Sequence, residues 1–383
     1  MKGKDSCWKA LLMKNNLEFQ IMHEPFTAAI LGAGNGAHAI AGHLALKGFA
    51  VRLYNKFEEE IVQLREQGGV TVEGVVEGFG RLELVTTDIA SALSGAQAIM
   101  VVVPAFVHRF IAEACAPHLR NGQVVVLNPG RTGGALEFAN VLREKGVTAQ
   151  VKVAEAQTLI YACRIIGPAR VQINSIKRQV PVAAFPSADT DAVLAMARQL
   201  FPEFVPATNV LETGFSNIGA VFHPSTTLFN ASRIEAGEEF EFYASITPMV
   251  ADFLEAVDSE RAATAKAYGI QVDSAKDWLA KAYEGIYGDN LYERLRSCAA
   301  YRGIKGPKSL HVRYIFEDVP TGLVPIASFA QAAGISTPAC RSVVDIACVM
   351  YGRDFWTEGR NMASLGLAGM EVERILDYVS RGQ

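Results

Sequence analysis

The first residues with chemistry in their spacing form a glycine-rich turn. Gly32-Ala33-Gly34-Asn35-Gly36-Ala37 satisfies the pattern G-x-G-x-x-[G/A]. The first glycine permits a tight turn out of a strand, and the second lets the backbone approach a pyrophosphate. A small final residue allows close packing of helix on strand. The following helix would present free N–H groups and the positive end of its dipole to the anion. The apolar run Ala28 to Leu31 precedes the turn, and AVRLYN (residues 50–55) follows about twenty residues later. A strand, a helix and a second strand around such a turn predict a dinucleotide site.

The second strand ends in Asn55-Lys56. An acid at that place binds both ribose hydroxyls of NAD and repels the extra phosphate of NADP. Asn55 is neutral, and Lys56 and Arg52 bring positive charge, although Glu58 to Glu60 partly cancel it. The Tyr-Asn-Lys ending resembles that of NADP-using β-hydroxyacid dehydrogenases. The reading favours NADP over NAD.

Further chemistry sits where strands should end. VVVPAFVH places Pro104, and VVLNPGRTGG places Asn128, Pro129 and Gly130, at the carboxyl edge of a sheet. Ligands bind at that edge in open α/β folds. AEAQTLIYACR adds Glu155, Gln157 and Thr158 to the same edge, as candidate substrate contacts. Later, FSNIGAVFHPSTTLFN contains His223 beside Pro224, and HVRYIFEDVPTGLVP contains Arg313, Glu317 and Asp318. Taken alone, His223 suits a buried core histidine and Asp318 suits a helix cap.

The elements that must position these groups change character along the chain. From residue 28 to about residue 200, short β-branched runs such as QAIMVVVP and QVVVLNP alternate with amphipathic helices, which predicts a doubly wound parallel sheet. GVTVEGVVEGFGRLELVTTD reads as a hairpin, and ARVQINSIK and QVPVAAFP as two further strands. Beyond about Val205, long helical patterns punctuated by glycine and proline take over. The expected division is an N-terminal extension (1–27), a Rossmann-type dinucleotide-binding domain (28–204) and an all-helical substrate and catalytic domain (205–383). Lysines and Glu18 interrupt residues 1–27, so no signal-peptide apolar core forms, and Met22 is a second candidate start.

The 383 residues carry a formal net charge of −4, which gives no support to nucleic-acid binding as the main role. No apolar run reaches the roughly 18 to 20 residues that span a bilayer. The six cysteines are scattered without metal-ligand spacing, which suits buried thiols in a reducing compartment. A cytoplasmic enzyme without a metal is expected, with a homodimer as the commonest soluble assembly.

In order and spacing, GAGNGAHAIAGHLALKG, VPAFVHR, LNPGRTGGALEF, AEAQTLIYACR, the His-Pro of VFHPSTTLFN, RYIFEDVPTGLVP and RNMASLGLAGM resemble the opine dehydrogenases, the octopine/nopaline dehydrogenase family. That family condenses an amino acid with an α-keto acid, often pyruvate, and reduces the imine with NADH or NADPH. The resemblance implies that His223 is the catalytic histidine and that Asp318 pairs with it. It also implies that Arg313 contacts the cofactor or a substrate carboxylate, with Asn230 close by. The amino-acid pocket varies within the family, and Trp278, Tyr283 and Met249 are candidates for it. Two other readings compete: a two-domain reductase of the ketopantoate reductase or glycerol-3-phosphate dehydrogenase type, and a nucleotide-binding sensor without catalysis.

Overall fold

The computed structural model describes residues 26–382. The expected N-terminal extension lies outside them, apart from its last two residues. Thr27 already belongs to the first strand, β1 (Thr27–Leu31), whose five residues are all buried.

β1 sits in the middle of an eight-stranded sheet. On one side it pairs in parallel with β2 (Ala50–Tyr54), which pairs with β5 (Leu84–Thr86). On the other side follow β6 (Ala98–Val101), β7 (Val124–Leu127) and β8 (Lys152–Ala156), all parallel. β6 and β7 are buried at every position, as β-branched runs covered on both faces should be. Beyond β8, β11 (Val180–Phe185) runs antiparallel, and β12 (Phe204–Pro206) closes the edge across the expected boundary at residue 204.

The remaining strands do not extend this sheet. β3 (Gly69–Gly74) and β4 (Gly78–Arg81) form the expected antiparallel hairpin. They join β9 (Tyr161–Gly167) and β10 (Arg170–Ile176) in a separate four-stranded sheet, ordered β4-β3-β10-β9. Helix α1 (Asn35–Leu46), which follows the glycine turn, lies between the two sheets. Its small residues permit this: a Cβ on Gly42 would meet Val72 at 2.5 Å, and one on Gly80 would meet the Gly42 carbonyl at 2.4 Å. The Asn35 side-chain oxygen accepts from the Ile165 N–H at 2.9 Å, fixing the start of α1 to β9.

After Pro206 the described chain is helical apart from one isolated bridge, Glu241 to Lys305. A buried ion pair orders this part. Arg261 bonds Asp258 at 2.7 Å and the Phe215 and Asp273 carbonyls, while Asp258 accepts from the Ala275 N–H. No helix of the described residues is long and apolar enough to cross a membrane.

Glu155, near the end of β8, joins the sheet to the helices. It is fully buried, accepting from the Ala135 N–H at 2.7 Å and from the Thr213 hydroxyl at 2.5 Å. Burial pushes its pKa up to about 7, against the lowering effect of those two bonds and of Arg360. The folded chain therefore keeps a proton that the unfolded chain loses, so stability falls as pH rises through this window. From pH 5.5 to above 7 this group contributes a loss of about 2 kcal/mol. Urea midpoints should fall across that range more steeply for the parent chain than for Glu155→Gln. Parallel pH dependences would contradict this.

Candidate active site

The glycine turn forms an open cradle. Gly32 has φ +126°, and a Cβ there would lie 2.4 Å from the Val102 carbonyl. A Cβ on Gly34 would meet nothing within 4 Å, so its face is open to an approaching group. No side chain caps α1 and no acid occupies its first turn, which leaves its N–H groups for an anion. Ala37 is buried, as close packing requires. These residues suit the pyrophosphate of a dinucleotide. At the end of β2, Asn55 is buried and Lys56 is exposed, its ammonium 4.4 Å from the Phe110 ring centroid. Arg52 is turned to Glu83 at 2.7 Å, which leaves Lys56 as the cation at this place. Pro104 follows β6 and precedes a short turn at Ala105–Val107.

The helical part brings His223 and Asp318 together across 95 residues of sequence, with Nδ1 2.8 Å from Oδ2. His223 lies in helix α2 (Gly219–Phe229) and keeps about a fifth of its side chain exposed, whereas Asp318 is buried. Asp318 does not cap the following helix. It opens a wide helical turn, Val319–Leu323, in which the Leu323 N–H reaches back to the Asp318 carbonyl, and its carboxylate is free for the imidazole. Burial raises the Asp318 pKa, but the charges of Arg131 and His223 and the hydrogen bond from His223 outweigh this, holding the carboxyl below its ordinary value. Tyr314 stacks on the imidazole at 4.4 Å, and the Tyr243 hydroxyl lies 3.5 Å from Nε2.

Arg131 is the residue that the sequence reading overlooked. It sits between Gly130 and Gly133 with φ +60°, in the turn after β7. Its guanidinium lies 3.9 Å from Asp318 and 3.6 Å from Glu317, and bonds Asn217 at 3.3 Å. The crowding there suits a glycine. A Cβ on Gly219 would lie 3.0 Å from Arg131 Nη1, 3.2 Å from Asp318 Oδ1 and 3.3 Å from His223 Cε1. Glu317, also buried, accepts from the Ala105 N–H at 3.0 Å and so joins the turn after β6 to the segment bearing Asp318.

Several expected contacts are placed elsewhere. Glu155 is no exposed edge acid: its carboxylate is enclosed and spent on Ala135 and Thr213. The Asn230 amide is spent on the Thr226 carbonyl, Ser245 and Arg233. Arg313 is paired with Glu317 and faces a separate cavity of about 470 Å³, with Phe106, His311 and Arg353. Thr158 remains on the strand edge, and its hydroxyl accepts from Lys177 Nζ at 2.6 Å. Burial, reinforced by the Arg131 charge, pushes the Lys177 ammonium down to about 8, so two cations face this edge. Tyr283 and Trp278 continue the aromatic cluster begun by Tyr243 and Tyr301, with Tyr243 and Tyr301 stacked at 3.8 Å. Met249 is exposed at the start of Pro248–Ala267.

Known proteins carry the same combination. Residues 206–351 match the alpha-helical domain of the NAD/NADP octopine/nopaline dehydrogenases, and residues 27–130 match the N-terminus of NAD-dependent glycerol-3-phosphate dehydrogenase. An opine dehydrogenase of Arthrobacter sp. (strain 1C) is 40% identical over 360 residues, 94% of this chain and 100% of that protein. Octopine dehydrogenase of Pecten maximus is 27% identical, with 86% and 91% covered. The structure of an octopine dehydrogenase with NADH and L-arginine superposes with a TM-score of 0.78 at 25% identity, covering 94% of this chain and 98% of that one. A ketopantoate reductase from Ralstonia eutropha reaches a TM-score of 0.57 at 19% identity, a likeness of fold alone. The Arthrobacter relative spans nearly the whole chain, and the chain belongs to the NAD/NADP-dependent opine dehydrogenase family.

Proposed function

We propose that this chain joins the amino group of an amino acid to the carbonyl carbon of an α-keto acid such as pyruvate and reduces the imine to a secondary amine dicarboxylate. The observation that carries this reading is the His223–Asp318 pair, with Nδ1 engaged by the carboxylate and Nε2 beside the Tyr243 hydroxyl at 3.5 Å. Relatives named for opine and octopine synthesis, and an octopine dehydrogenase solved with NADH and pyruvate, support the choice of substrates.

The residues divide the work. Asp318 accepts from Nδ1–H, which fixes the tautomer and stabilises the imidazolium when Nε2 takes a proton. Nε2 removes a proton from the substrate ammonium, exposing the lone pair that attacks the carbonyl carbon. The same nitrogen returns the proton to the hydroxyl that leaves as water, forming the C=N bond. The Gly32–Ala37 cradle would hold the pyrophosphate of a reduced nicotinamide dinucleotide, which would supply the hydride that saturates that bond. One further proton is taken up to charge the product amine. Arg131 and Lys177 provide positive charge for substrate carboxylates, and Tyr314 keeps the imidazole plane in place. The substrate cleft lies between the Rossmann-type and helical parts, where apposition excludes water.

The test is NADH and NADPH oxidation by the purified chain, with each of pyruvate, glyoxylate, 2-oxoglutarate and oxaloacetate against single amino acids. Oxidation that requires both substrates is expected. Oxidation with a keto acid alone would mean a simple keto-acid reductase. His223→Ala should cut turnover by about two to four orders of magnitude and leave cofactor affinity nearly intact. Asp318→Asn keeps the shape but removes the charge facing the imidazole. It should cost at least about a hundredfold in kcat, with a smaller effect on KM. Full activity in either variant would remove that residue from the mechanism.

A further inference from the structure

The end of β2 lacks an acid in sequence, but the fold returns one from the next turn. Glu60 closes a short helical turn, Glu58–Glu60, and its Oε2 accepts from the Asn55 side-chain Nδ2 at 2.8 Å. The same Nδ2 donates to the Phe57 carbonyl at 3.2 Å. Two acceptors around Nδ2 fix the amide orientation, and Asn55 Oδ1 is left as an acceptor without a partner among the described residues. A ribose hydroxyl can donate to that oxygen. A 2′-phosphate, which at neutral pH offers mainly acceptors, cannot, and it also meets the Glu60 charge.

Four of the neighbouring charges are paired with one another. Glu58 pairs with Arg65, and Arg52 pairs with Glu83. Lys56, exposed over Phe110, has no carboxylate partner among the described residues and is the cation that remains for a phosphate. We propose that Glu60 is the residue that sets cofactor discrimination, restoring through Asn55 the ribose-diol site of an NAD enzyme and opposing the pull of Lys56 on the 2′-phosphate of NADPH. The chain accepts both cofactors as a result, with Glu60 limiting its preference for NADPH. This inference rests on the cofactor reading above and adds the side chain that decides between the two nucleotides.

Cofactor affinity, measured by fluorescence titration with NADH and NADPH and no substrate present, tests it apart from turnover. Glu60→Gln keeps an oxygen for the Asn55 bond and removes only the charge. It should tighten NADPH by about tenfold and change NADH by less than about threefold. Lys56→Ala should weaken NADPH by about tenfold and leave NADH nearly unaltered. Raising the salt concentration should shrink both effects, because these charges are exposed. A ratio of NADPH to NADH affinity that stays within about twofold in Glu60→Gln overturns the proposal. Binding of neither cofactor overturns it together with the proposed function. A shifted ratio in a chain that forms no opine upholds the role of Glu60 and overturns only the proposed reaction.

Discussion

Arg360 carries a positive charge into a place closed to water, and the chain around it is arranged to satisfy its donors. Its guanidinium bonds Glu137 at 2.8 Å, the Gly130 carbonyl at 2.8 Å, the Thr132 and Ala105 carbonyls at 3.1 Å, and His108 Nδ1 at 2.9 Å. Burying an ion costs several kcal/mol unless its partners are well placed, so these bonds are obligatory. They hold the two turns that carry the reactive end of the sheet. Gly130 and Thr132 flank Arg131, and the Ala105 N–H binds Glu317, next to Asp318. His108 must be neutral to accept from Arg360, and burial together with that charge drives its pKa well below the ordinary value. The turns on either side of the His223–Asp318 pair are therefore held in place by buried charges behind them.

Three buried carboxylates in this region have different fates, set by what faces each. Asp318 faces Arg131 and His223 and stays ionised. Glu317 is shared by Arg313, Arg131 and a backbone N–H. Glu155 has two neutral donors and only a distant guanidinium, so it holds its proton up to about pH 7. Burial alone does not distinguish them; the nearest cation does.

This contrast explains what was legible in the sequence. The glycine turn, the parallel strands and the long helices are written locally, in spacing and in periodicity, and they appear as expected. An acid at a strand end reads the same whether it faces solvent or a neighbouring helix, so the enclosure of Glu155 is not legible in the sequence. Arg131 carries no local signal beyond lying between glycines, because its place depends on a positive φ and on Glu317 and Asp318 far along the chain. β9 and β10 alternate like any half-buried strand, and nothing in them says that they join β3 rather than β11. No spacing rule spans the 95 residues between His223 and Asp318, so in the sequence only the family resemblance points to their contact.

Clamping α1 between two sheets has a consequence for how a nucleotide is received. The helix start is fixed by Asn35 to β9, and Gly42 is pressed against β3 and β4. The socket is thus finished when the chain folds, and its ordering entropy is already spent before a ligand arrives. A rigid receptor of this kind turns a change at its rim directly into affinity, with little lost to rearrangement. The edge of the socket at Asn55 and Glu60 is also built from contacts separate from the network of buried charges around Arg360.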